Sequence, residues 1–138
     1  MISAVLTKSE WIKKAVIIQQ DESSATYIIQ RYAPGKIWIN QQCYESSVII
    51  RPHHLLAPWA PSCLQEVTFA DFKSLEDDMP QILLLGTGEK LIIPPEALLL
   101  PLFKKGIGVE FMDSKAACFT FTALAAENRN VAACILIF

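Results

Sequence analysis

The side chains able to do chemistry fall in a few short stretches, of which Gly86-Thr87-Gly88-Glu89-Lys90 stands first, directly after the apolar run Ile82-Leu83-Leu84-Leu85. Loops at the carboxyl ends of parallel strands are where open α/β sheets bind ligands. Glycines in such a loop can turn backbone N–H groups toward an anion. The phosphate loop, however, needs G-x-x-x-x-G-K-[ST], and here only Thr87 separates the two glycines. The dinucleotide pattern G-x-G-x-x-G fails too, because Leu91 stands where the third glycine belongs. A tight turn with positive φ accounts for the glycines without a ligand. Both readings, turn and anion site, stay open on the residues alone.

Asp113 closes the next apolar strand, so a parallel sheet would bring it near Gly86 and Gly88. There it either lines the crevice or caps the helix that follows, and capping alone is worth about 0.5–2 kcal/mol. Cys118 lies in the first turns of that helix, where a helix N-terminus lowers a thiol's pKa. A nucleophile also needs a base and an oxyanion pocket; the one source of a base is His53-His54, remote in sequence. That pair, in a proline-bounded loop, reads as a surface feature, since no second group of Cys or His completes four metal ligands. Glu76-Asp77-Asp78 reads as a solvated acidic turn. No cofactor and no metal is expected from these patterns.

Cys43, Cys63, Cys118 and Cys134 contain no C-x-x-C pair, so neither a zinc site nor a thioredoxin-type motif is supported. A chain of 138 residues that is 52% hydrophobic can build a core without disulfide staples, and four free thiols are expected. The opening Met1–Lys8 lacks the basic-then-apolar layout of a secretory signal, and the cytoplasm is the expected address. Twelve Lys+Arg against fourteen Asp+Glu leave a net charge of −2, which argues against nucleic-acid binding through a broad basic surface. The longest stretch without Asp, Glu, Lys or Arg, Pro52–Gln65, holds three prolines. It falls short of the ~18–20 apolar residues of a membrane span.

The elements that must position these residues follow from periodicity and punctuation. Tyr27–Tyr32 and Lys36–Asn40 flank Ala33-Pro34-Gly35, a hairpin signal, and Ser47–Arg51 is a third strand stopped by Pro52. The expectation is an antiparallel β-meander over residues 27–51. Upstream, Ser9–Lys14 suggests a helical turn and Ala15–Gln19 an edge strand. Residues 52–67 read as a loop. Thr68 then offers a side-chain oxygen to a short helix near Phe69–Leu75. From Gln81 the pattern is β-α-β-α-β: a central strand at Ile82–Leu85, a helix from about Pro95 to Lys105 closed by Gly106, a strand at Gly108–Met112, a helix from Asp113 or Ser114 to about Glu127, and a strand at Val131–Leu136. Pro101 should kink or split the first helix. The fold class is therefore α/β, a single domain over residues 1–138 with a mixed sheet whose carboxyl-terminal part is parallel.

On the second helix, Ala117, Phe121 and Leu124 share one face at 100° per residue, and Phe119 points roughly opposite. One flat layer cannot bury both phenylalanines. Phe119 is covered by the meander or belongs to an interaction surface for a partner or a second copy, and the partner reading is favoured.

Gln81–Gly88, Pro94-Pro95, Gly106–Asp113, Ala116-Ala117-Cys118 and Glu127–Ala133, with Ser46–Ile50 upstream, occur in a distinctive order and spacing. They resemble the conserved family that includes the mitochondrial respiratory complex I assembly factor 3 and many uncharacterised bacterial proteins. The resemblance covers roughly Tyr27 to Leu136. It implies a three-layer α/β fold with a β-rich first half, no established catalytic activity and, in the mitochondrial relatives, a role as a chaperone-like assembly partner. The family's pattern after the alanine pair is Cys-Arg-Thr-Tyr-Asn; here it is Cys118-Phe119-Thr120-Phe121-Thr122, so Cys118 and Thr120 match and Phe119 replaces the arginine. The reading is a non-enzymatic binding or assembly protein acting through a protein partner or self-association. Its alternative is a small-molecule or anion-binding protein, or an enzyme, using Gly86, Thr87, Gly88, Asp113 and Cys118.

Overall fold

In the computed structural model, which describes residues 24–138, two tight turns build a small antiparallel sheet. Strand β1 (Ile29–Ala33) reverses at Pro34-Gly35 into β2 (Lys36–Ile39), with Gly35 at φ +78°. Asn40 and Gln41 then both take positive φ, the geometry of a two-residue hairpin turn, and β3 (Gln42–Tyr44) returns beside β2. The Asn40 side chain secures this corner, accepting from Ile28 N and donating to the Thr26 carbonyl. The helical turn and edge strand expected over Ser9–Gln19 lie outside the described residues.

Strand β4 (Val48–Arg51) leaves this sheet. The sequence reading joined it to the meander, whereas it pairs antiparallel with the last strand, β8 (Val131–Ile135). The cause is burial on both faces: Ile49 enters one core, and Val48 and Ile50 the other. Such a strand belongs in a middle layer. Pro52-His53 turns the chain back into β5 (His54–Leu56), a strand in the stretch expected to be loop. Two 3-10 helices follow, Leu64–Glu66 and Phe69–Leu75. At the second, Asp71 Oδ2 accepts from both the N–H (2.7 Å) and the hydroxyl (3.1 Å) of Thr68.

The remainder is β6 (Ile82–Gly86), α1 (Glu96–Lys104), β7 (Gly108–Met112), α2 (Ser114–Ala126) and β8. Strand β6 pairs in parallel with β7 and β8, completing a five-stranded mixed sheet in the order β5-β4-β8-β6-β7. Alternation along these strands sorts the side chains into two cores. Leu83, Leu85, Ala132, Cys134 and Leu136 pack with Leu98 and Leu102 of α1 and with Phe72 and Leu75 of the 3-10 helix. Leu84, Val131, Ala133 and Ile135 pack with Ala117, Cys118, Phe121 and Ala125 of α2 and with Ile37 and Ile39 of the small sheet. The result is three layers, with the mixed sheet in the middle.

Pro101 lies inside α1 without splitting it. The carbonyl that loses its donor belongs to Ala97, which is exposed, so water can replace the missing bond. Helix α2 ends in a Schellman closure: Asn128 at φ +59° lets Arg129 N donate to the Leu124 carbonyl and Asn128 N to that of Ala125.

Candidate functional site

The residues singled out around Gly86 do come together at the carboxyl ends of the parallel strands. Gly86 pairs with Met112, so the loop after β6 lies beside the start of α2. The two glycines have different reasons to be glycine. A Cβ on Gly86 would stand 3.0 Å from Ser114 Cα and Oγ and 3.1 Å from Ala117 Cβ, so its bare Cα lets α2 close onto β6. Gly88 has φ +110°, a conformation L side chains rarely adopt, and a Cβ there would meet the Phe138 ring at 2.7 Å.

Two of the loop's amides are spent within the fold. Thr87 N donates to the Met112 carbonyl at 2.8 Å, and Gly88 N donates to Ser114 Oγ at 2.9 Å. The Thr87 hydroxyl donates to the Lys90 carbonyl and accepts from Ile92 N, which curls the loop back on itself. Ser114, fully buried, also donates through Oγ to the Leu136 carbonyl at 2.7 Å. Ser47 ties down the same final segment, its Oγ accepting from Ile137 N at 3.0 Å. The sequence offers Ser114 as an alternative to Asp113 at the start of α2 and Ser47 as the first residue of a strand; two small hydroxyls next to apolar strands leave no pattern that discloses their bonds to the final segment.

Asp113 is the N-cap of α2, its Oδ1 accepting from Ala116 N at 2.8 Å. Cys118 is 4% exposed in the next turn. The expectation that the helix terminus lowers its pKa is overturned: burial, reinforced by the nearby Asp113 carboxylate, pushes the thiol from 9.0 up to about 12. The half-buried Tyr32 phenol, on β1, is raised by the same causes, burial first and then the charges of Cys118, Glu89 and Asp113. No base reaches the thiol from His53 or His54. Both line a cavity with Ala125 and Asn128 at the far end of α2, which puts them about two helical turns from Cys118. Phe119 projects from the outer side of α2 with 68% of its surface exposed, and the small sheet does not cover it.

Read along its whole described length, the chain matches the family described as protein of unknown function (DUF498/DUF598) over residues 29–136, from the first residue of β1 to just past β8. The chain belongs to this family. Among its relatives is the 13 kDa major membrane protein of Francisella tularensis, 31% identical over 121 residues that span 87% of this chain and 98% of that protein. Another is the NADH dehydrogenase [ubiquinone] 1 alpha subcomplex assembly factor 3 of Danio rerio, 31% identical over 130 residues, 92% of this chain and 74% of that protein. A crystal structure of a Bordetella parapertussis protein is 28% identical and superposes with a TM-score of 0.77, covering 83% of this chain and 98% of that one.

The family resemblance read from the motifs is thereby shown, and so is the α/β fold it implied. The family description itself assigns no activity. Among the described residues no helix is long and apolar enough to cross a membrane, and no group of three or more His, Cys, Asp and Glu could hold a metal ion.

One polar centre was missed altogether. Arg51, at the end of β4, is 7% exposed. Its guanidinium donates through Nη1 to the Asp78 carbonyl and through Nη2 to Asn130 Oδ1 at 2.9 Å. The signal available was a lone cation closing an otherwise apolar strand, but its partner Asn130 lies 79 residues on.

Proposed function

We propose that the protein is a non-enzymatic, assembly-factor-like binding protein whose partner is a subunit of a respiratory complex, and that it acts in the cytoplasm. The observation that carries this reading is the likeness to the Danio rerio assembly factor over 92% of this chain. Exposed apolar surface supports it. Phe119, 68% exposed in the middle of α2, lies outside both buried cores, and fully burying a Phe side chain stabilises by roughly 1.5–3 kcal/mol.

The chemistry at the crevice supports a binding role over a catalytic one. Cys118 stays a thiol at neutral pH, and only the thiolate is a nucleophile. Asp113 is engaged as a helix cap, and the Gly88 amide is engaged by Ser114. In this reading Phe119 is the centre of the contact, and α2 is the element that presents it. The test is to compare the partners retained by the native chain with those retained by Phe119→Arg, after checking that the two melt at the same temperature. Loss of a partner at unchanged stability is expected; an unfolded variant would return Phe119 to the core and remove the contact.

A further inference from the structure

At the amino-terminal edge of the parallel strands, opposite the glycine loop, lies a cavity of about 230 Å³. Its walls include Arg51, His53, His54, Asn128, Arg129 and Asn130. A second cavity of about the same size adjoins it, sharing Arg51, His54 and Asp78. Arg51 therefore stands between two openings rather than inside solid protein.

A buried guanidinium needs compensation, because desolvating a charge costs several kcal/mol unless a partner restores it. Here the compensation is thin. The nearest carboxylate, Asp78, is 3.8 Å away with 76% of its side chain exposed, and an exposed ion pair is worth about 0–1 kcal/mol. Its other two partners among the described residues, the Asp78 carbonyl and the Asn130 amide oxygen, are neutral. The lining of the first cavity adds a second cation, Arg129, so that two arginines stand there against Asp78, while Asp77 lines the adjoining cavity. Among the described residues Arg129, which lines the same cavity, pairs with Glu127 at 3.7 Å, with side chains 48% and 63% exposed, and such an exposed pair holds it weakly. The Schellman closure of α2 consumes the Leu124 and Ala125 carbonyls that would otherwise repel an anion at that helix end.

We propose that this cavity binds a small oxyanion, a phosphate or carboxylate group, with Arg51 as the buried charge beneath it and Arg129, His54 and the Asn128 amide closing around it. Arg129 can offer the planar fork that matches two oxygens of either group, while Arg51, whose Nη atoms already bond the Asp78 carbonyl and Asn130, supplies the charge from below.

Titration of the full chain with inorganic phosphate and, separately, with succinate, followed by the backbone amide resonances, tests the site. Chloride at equal ionic strength is the control. The expected result is a saturable shift centred on Arg51–His54 and Asn128–Asn130, absent with chloride and weakened at least tenfold in Arg129→Gln. That variant alters an exposed side chain and keeps the fold, whereas a change at buried Arg51 risks losing it. A tighter response to phosphate assigns a phosphorylated ligand, and a tighter response to succinate a carboxylate; either supports the site. No saturable shift with either anion would overturn it, as would an equal response in Arg129→Gln, or shifts centred on Gly86–Gly88.

Discussion

Ser114 and Gly88 hold each other by two hydrogen bonds: Ser114 N donates to the Gly88 carbonyl at 2.7 Å, and Gly88 N donates to Ser114 Oγ at 2.9 Å. The same hydroxyl donates onward to the Leu136 carbonyl. One side chain thus joins the loop after β6, the start of α2 and the segment after β8, and the carboxyl end of the sheet is closed by its own polar groups. Removing the hydroxyl in Ser114→Ala leaves a buried donor and a buried acceptor without that partner, each costing about 1–3 kcal/mol. Urea unfolding should show a loss of roughly 2–6 kcal/mol. A loss under ~0.5 kcal/mol, the level of an ordinary surface substitution, would mean that the closure is dispensable.

Gly88→Ala separates two costs. The φ of +110° is unfavourable for alanine whatever surrounds it, at about 1–3 kcal/mol. The contact with the Phe138 ring is cheaper, because that residue is 54% exposed and can swing aside. The double variant Gly88→Ala with Phe138→Ala should therefore recover little of the stability lost in the single one. Full recovery would make the aromatic contact, and not the backbone, the reason for the glycine.

The parallel half was legible because each helix carries its own punctuation. Asp113 caps α2 and Gly106, at φ +80°, follows α1, and both are local signals that survive folding unchanged. Where the structure departs from the sequence reading, a long-range contact or an unusual turn decides. The Asn40-Gln41 turn takes the conformation for which Asn-Gly is the usual signature, and glutamine at its second position hid it. β4 reads as a third meander strand until β8, some 80 residues later, claims it. At the site, Asp113 and the loop were found because spacing along parallel strands is local. Arg51 was not, because its partners Asp78 and Asn130 arrive from two other elements.

The thiols should differ sharply in reactivity. Cys43 is exposed, Cys63 partly so, and Cys118 and Cys134 are buried. Alkylation of the native protein at neutral pH should modify Cys43 first and leave Cys118 and Cys134 until unfolding, with four labels once denatured. Early modification of Cys118 would contradict its protonated, buried state.

The same burial sets a pH dependence. Cys118 holds its proton up to about 12 in the folded chain, against 9.0 for an ordinary thiol. Cys134 is shifted upward too, mainly by its complete burial, with the Arg51 charge opposing. The unfolded chain therefore loses these protons first, and stability present below pH 9 declines as pH rises from there toward 12. The urea midpoint should fall across that range, and Cys118→Ala should flatten the fall. A midpoint independent of pH between 9 and 12 would show that the thiols ionise equally in both states.

Phe119 as a partner contact is tested most directly by purification of the tagged chain from its native cell. Respiratory-complex subunits would be quantified by mass spectrometry for the native chain and for Phe119→Arg side by side. The native chain should retain a defined subunit, and the variant about tenfold less of it, the loss that ~1.4 kcal/mol of binding energy produces, with its own melting temperature unchanged. A native chain that retains no such subunit, or a variant that retains as much as the native chain, would contradict the account.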